Sequence, residues 1–265
     1  MKQRIITGTL GAVIFLGLMS QAWLYTICLF VLGIVAFIEY AKMKNISLRT
    51  PQIFIGVAVI LMVFLSVLAN QPNFSGFSFL QGTTPVILGL ILYFLWMVFS
   101  RNQFDLFQMA YLFVGAIYIG YGFSYMTVTI WQENGLAWSL LIILATWAND
   151  TGAYFVGKRW GKQKLMPEIS PNKTIEGSLG GILCGTLLSI IIFFIFPDLG
   201  NPLFAVAIGV LITVVGQIGD LIESAWKRST GVKDSGSLLP GHGGFLDRFD
   251  SLLFTFIILH FVQLL

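Results

Sequence analysis

The chain is short of charge. Only 10% of its 265 residues are Asp, Glu, Lys or Arg, while 57% are hydrophobic. A soluble domain carries about 25% charged residues. This chain could not cover a water-facing surface with polar groups, which excludes an ordinary soluble globular protein. Cysteine is scarce too. Cys28 and Cys184 both sit inside apolar runs, so no disulfide framework is implied and no Cys/His spacing suggests zinc. No convincing internal repeat is visible, which leaves the inverted-repeat transporter plan without support. No folded nucleic-acid module stands out either.

Long apolar stretches fill the space that charge leaves. A membrane span needs about 20 mostly apolar residues. Nine are read: 5–20, 22–41, 52–69, 84–100, 107–127, 135–157, 174–196, 202–222 and 249–265. The start resembles a secretory signal, but the spans that follow make it a retained first helix. Nine spans put the N-terminus and loops 42–51, 101–106, 158–173 and 223–248 on one side. All fifteen Lys and Arg fall there. Basic residues collect in cytoplasmic loops. The expectation is an all-α integral membrane protein with about nine transmembrane helices, its N-terminus cytoplasmic and its C-terminus outside. Residues 1–135 read as a scaffold of about five helices. Residues 136–265 read as a catalytic region of about four helices with loops 158–173 and 223–248.

Polar residues concentrate in three clusters. In "ATWANDTGAYFVGKRWGK", Asn149 and Asp150 fall within the sixth span. An ionisable group at that depth marks a functional site by default, or hydrogen-bonds a neighbouring helix. Gly152 and Gly157 suit close helix approach. In "EISPNKTIEGSLGG", Ser170-Pro171 reads as a turn and Thr174 as a cap of the seventh helix, with Glu176 near its start. Lys173 at that helix mouth makes a phosphate-sized site, or snorkels from an ordinary capped helix.

The third cluster runs from Gly216 to Ser251. Asp220 and Glu223 are three apart and share a helix face. Asp247 and Asp250 have the same spacing and would share the first turn of the ninth helix. Two acid pairs at membrane-helix ends can bind hard cations through oxygen. Lys227, Arg228, Lys233 and Arg248 are interleaved with them. Both signs together suit a metal–polyphosphate complex. Glycines before Asp247 would let backbone amides approach phosphate. His242 would bind phosphate or act as a general acid, or simply pack the turn.

The stretch "SAWKRSTGVKDSGSLLPGHGGFLDRFD", residues 224–250, closely resembles the signature of the phosphatidate cytidylyltransferase family. The resemblance rests on Ser224, Lys227-Arg228, Lys233-Asp234, His242-Gly243-Gly244 and Asp247-Arg248-Phe249-Asp250. The segment "NDTGAYFVG…ISPNKTIEGSLGG" is similar to the family's second motif. Trp226 and Asn172 depart from the usual pattern. The resemblance implies magnesium-dependent transfer of a cytidylyl group from CTP to phosphatidic acid, giving CDP-diacylglycerol and pyrophosphate. It implies Asp220 and Asp247 as leading metal ligands, with Asp250 and Glu223 close by. The identity of any second metal ion, divalent or monovalent, stays open. Asp220, Asp247, Asp250, Lys227, Arg228 and His242 are the catalytic candidates. Asn149, Asp150, Lys173, Thr174, Glu176, Lys233, Asp234, Gly243, Gly244 and Arg248 are the substrate-binding candidates. The implied setting is a bacterial plasma membrane, with the site facing the cytoplasm, no nucleic-acid partner, and a homodimer by family association. The rival reading is a cation channel or transporter using Asp150, Asp220 and Asp247.

Overall fold

The computed structural model describes residues 2–69, 76, 79–236 and 243–265, with side chains from Gly8 onward. His242 and most of loop 70–83 lie outside the described residues. Among those described there are nine α-helices: α1 (Lys2–Leu18), α2 (Ala22–Met43), α3 (Pro51–Leu68), α4 (Thr84–Phe99), α5 (Leu106–Trp131), α6 (Gly135–Trp160), α7 (Ile175–Ile195), α8 (Pro202–Ser229) and α9 (Asp250–Phe261). Prolines open several of them, as suits a position whose N–H would have no helical partner. Pro202 starts α8, and the Asn201 side chain caps it by accepting from the Phe204 N–H at 2.8 Å.

Five helices (α2, α3, α5, α7 and α8) are long and apolar enough to cross a membrane, while α4, α9 and Gly8–Leu18 are shorter apolar helices. α6 has 26 residues but carries Asn149, Asp150, Lys158 and Arg159 in its second half. Two local expectations change. α8 runs past residue 222 to Ser229, because "ESAWKRS" keeps helix-forming residues and puts Lys227 and Arg228 where the helix dipole favours cations. Ser170-Pro171 is not a turn. It opens strand β2 (Ser170–Thr174), which pairs antiparallel with β1 (Lys164–Met166), Lys164 opposite Thr174 and Met166 opposite Ser170.

The chain divides into two compact units. The first comprises Met1–Trp131 and Asp234–Leu246. Its core is α5 packed on α2 and α3, with Tyr25, Phe37, Tyr40, Ile60, Leu112, Ile119 and Phe123 buried. Gly115 lets α5 meet α2 closely, since a Cβ there would run into the Tyr40 ring. Tyr40 and Tyr111 stack with centroids 4.2 Å apart, and each hydroxyl donates to the other residue's carbonyl, at 3.1 and 2.7 Å.

The second unit comprises Gln132–Lys233 and Asp247–Leu265. α6 and α7 lie antiparallel and very close. A Cβ on Gly152 would sit 2.7 Å from Cys184 Cβ, and one on Gly181 would sit 2.7 Å from the Asn149 carbonyl oxygen. Small residues allow such backbone approach between membrane helices. α8 packs on α7, and α9 on α8. The β-hairpin joins α6 to α7 beside the charged ends of these helices.

Candidate active site

A cavity of about 480 Å³ opens in the second unit. Asn149, Asp150 and Tyr154 line it from α6, Asn172, Lys173 and Thr174 from β2, Ser178 from α7, and Gln217 and Asp220 from α8. Local chemistry fixes several of these. The Thr174 hydroxyl accepts from the Gly177 N–H at 3.1 Å and caps α7. Such a cap contributes about 1 kcal/mol. Glu176 reaches back to the hairpin, accepting from the Lys162 N–H at 2.9 Å and the Gln163 N–H at 3.2 Å. The α7 mouth and the hairpin are thereby locked together.

The floor of the cavity is a polar chain. Gln217 Nε2 donates to Asn149 Oδ1 at 2.8 Å and to the Ser178 carbonyl at 3.0 Å. The Ser178 hydroxyl donates to Gln217 Oε1. Asn149 Nδ2 then donates to Asp150 Oδ1 at 3.2 Å. Buried polar groups hold position when their partners are satisfied. This chain therefore aims the Asp150 carboxylate.

Two lysines organise the acids. Lys173 Nζ lies 2.5 Å from Asp220 Oδ2, with both side chains partly exposed. Ser224 donates to the other Asp220 oxygen at 3.3 Å. Lys227 Nζ lies 2.6 Å from Glu223 Oε2 and 2.6 Å from Asp247 Oδ1, so one ammonium bridges two carboxylates. Glu223 Oε1 is buried without a hydrogen-bond partner among the described residues. Asp220 acts electrostatically on both Asp150 and Asp250, and Asp247 and Asp250 both act on Glu223. The acids of both motifs are thus neighbours.

The remaining candidates are scattered. Arg228 Nε donates to the Ile169 carbonyl at 3.1 Å and so holds the hairpin. Lys233, Asp234 and Arg248 are exposed. Gly243 and Gly244 belong to the first unit, Gly243 with a left-handed φ of 82°. Asp247 and Asp250 do not share a helical turn. Asp247 lies in a 3₁₀ turn, Leu246–Arg248, and α9 starts only at Asp250. The turn sends Asp247 to Lys227, while Asp250 Oδ1 accepts from the Ser251 N–H at 2.6 Å. Among the described residues, no group of three or more Asp, Glu, His or Cys is gathered closely enough to hold a metal ion. Gln217 was unmarked in the sequence, although it stands three residues before Asp220 on the same helix face.

The model of the family described as "Cytidylyltransferase family" matches residues 2–265. This chain belongs to that family. Among its relatives is the phosphatidate cytidylyltransferase of Bacillus subtilis (strain 168), 40% identical over 265 residues, covering 99% of this chain and 97% of the relative. The phosphatidate cytidylyltransferase of Staphylococcus haemolyticus (strain JCSC1435) is 37% identical, covering 98% of each chain. That of Staphylococcus saprophyticus is 36% identical, again over 98% of each. The cytidylyltransferase match includes the first five helices, where the motifs quoted from the sequence do not reach. The channel reading gains no support from these relatives.

Proposed function

We propose that this chain transfers the cytidylyl group of CTP to phosphatidate. An oxygen of the phosphatidate phosphate attacks the α-phosphorus of CTP. The bond from that phosphorus to the bridging oxygen breaks, and pyrophosphate leaves with the electron pair. The product is CDP-diacylglycerol. The observation that carries this reading is the cavity lined by the Lys173–Asp220 pair, together with Lys227 bridging Glu223 and Asp247 further along α8.

The nucleophile is already an anion, so no strong general base is required. The barrier lies in bringing two polyanions together. Lys173 and Lys227 supply positive charge toward the phosphates, and stabilisation of developing charge is a large catalytic contribution. Lys173 is the more accessible and can exchange Asp220 for a substrate phosphate. The Gln217–Asn149–Asp150 chain orients the cavity wall. Arg228 and Glu176 hold the hairpin that forms its rim.

Magnesium belongs to the same reading. Carboxylate oxygens are the donors that a hard cation takes, and Mg²⁺ is commonly held by one or two carboxylates plus substrate phosphates. Asp220, Asp247, Asp250 and Glu223 supply that chemistry, and the unpartnered Glu223 Oε1 is a ready acceptor. The ion would screen the phosphates and stabilise the leaving pyrophosphate.

CTP comes from water and the acyl chains stay in lipid, so the site belongs at the cytoplasmic interface of a multi-pass bacterial plasma membrane protein. The one-sided basic residues support an N-terminus inside and a C-terminus outside. A homodimer completes the reading. The test is purified protein with labelled CTP, phosphatidate and magnesium. Labelled CDP-lipid is expected, and Asp220→Asn or Asp247→Asn should nearly abolish it in folded protein. Wild-type turnover in both variants across a magnesium titration would sink the ligand assignment. A reporter fused after Leu265 should be found outside the cell.

A further inference from the structure

Glu39 is the one acid of α2, and it is buried at 4% exposure. Its Oε2 accepts from the Leu246 N–H at 2.9 Å, across 207 residues of sequence. The described residues on both sides of the glycine-rich segment come back to this same carboxylate. A Cβ on Gly236 would lie 2.5 Å from Glu39 Oε1, and one on Gly244 would lie 2.9 Å from Glu39 Oε2. The Cβ position of Gly244 is also 2.6 Å from the Gly236 backbone nitrogen. Phe245 stacks on Phe123 at 6.4 Å and closes the packing from another side. Leu246 in turn opens the 3₁₀ turn that carries Asp247.

We infer that Glu39 is a positioning residue: its carboxylate clamps Gly236, Gly244 and Leu246 and thereby sets the turn that presents Asp247. Two observations support a dedicated clamp over ordinary packing. A Cβ on Gly236 would meet the Glu39 carboxylate first, and one on Gly244 would meet Ser235 Oγ, the Gly236 nitrogen and then Glu39, so the carboxylate lies against backbone that carries no side chain. The bond to Leu246 falls on the residue immediately before the acid that Lys227 holds. A displacement of about 1 Å at a reacting group can cost on the order of 100-fold in rate, so a clamp on this residue matters for turnover. The role rests on the transferase reading above.

The test compares full-length Glu39→Ala and Glu39→Gln with wild type. Hydrogen exchange of amides 243–246 is read first and needs no activity. It should rise about tenfold or more in Glu39→Ala, as local opening frees these amides, and stay near wild type in Glu39→Gln, which keeps an acceptor. In the CDP-lipid assay, Glu39→Ala should raise KM for CTP about fivefold or more and lower kcat, with KM for phosphatidate unchanged, because Asp247 is displaced relative to the nucleotide. Loss of folded protein alone would lower kcat with both KM values intact, and that result would overturn the inference. Unchanged exchange at 243–246 in folded Glu39→Ala would overturn it too. If Glu39→Ala does not fold, Glu39→Asp, one methylene shorter, takes its place: faster exchange and a raised KM for CTP are expected, and wild-type exchange overturns the clamp. A wild-type protein that makes no CDP-lipid would defeat the transferase reading, while the exchange rates would still decide for or against the clamp.

Discussion

Lys173 and Lys227 place the same functional group in contrasting surroundings. Lys173 touches one carboxylate, and its side chain and that of Asp220 are 27% and 31% exposed. Lys227 touches two, Glu223 and Asp247, and its side chain is 14% exposed against 3% and 10% for theirs. An exposed pair is worth about 0–1 kcal/mol and is screened by salt. It can open when a phosphate arrives. A buried pair is costly to break, because removing one partner leaves an uncompensated charge. The difference separates a partly exposed pair, open to exchange, from a buried lysine that ties Glu223 of α8 to Asp247 of the 3₁₀ turn.

The largest effect is expected for Lys227→Met. Glu223 and Asp247 would then face each other unneutralised, destabilising the fold by about 3–5 kcal/mol in thermal unfolding in detergent. Turnover should fall on the order of 1,000-fold. A variant of wild-type stability would erase the contrast between the two lysines. Lys173→Met should keep the protein folded, with a stability change of about 1 kcal/mol or less. Its cost belongs to substrate binding: roughly a tenfold rise in KM for CTP or phosphatidate, as for a lost charged hydrogen bond. That rise should shrink as salt increases, which steady-state kinetics at several ionic strengths would reveal. The smallest effect is Thr174→Ala, which removes the α7 cap beside Lys173. Its expected loss is about 1 kcal/mol in thermal unfolding.

Much of the helical plan was legible because apolar runs are long and the basic residues between them are few. The acids and lysines of the candidate site stood out for the same reason, since any charge is conspicuous in such a chain. What stayed hidden has identifiable causes. The strands Lys164–Met166 and Ser170–Thr174 are too short to show a period of two, and Pro171 reads as a turn signal when viewed alone. The 3₁₀ turn at Leu246–Arg248 has the same acid spacing as an α-helical turn, so Asp247 and Asp250 looked like partners on one face. Gln217 carries no charge and blended into the apolar run of α8. Glu39 sits next to the basic end of α2, where an acid draws no notice, and its partner lies 207 residues away. Pairing of Lys227 with both Glu223 and Asp247 depends on α8 continuing past its apolar run, which hydropathy does not report.

The length of α8 has a consequence for depth. Its 28 residues, at about 1.5 Å each, make a rod of about 42 Å, while bilayer hydrocarbon is about 30 Å thick. Counted from Pro202, about 20 residues cross the hydrocarbon, and the crossing ends close to Asp220. On that count Glu223 and Lys227 would fall beyond the hydrocarbon, at the level of the lipid phosphates. Such a helix would act as a ruler measured from its capped end at Asn201. Turnover should therefore respond to bilayer thickness with the substrate's acyl chains held constant. Host lipids that are too long would draw the acids below the plane of the phosphates.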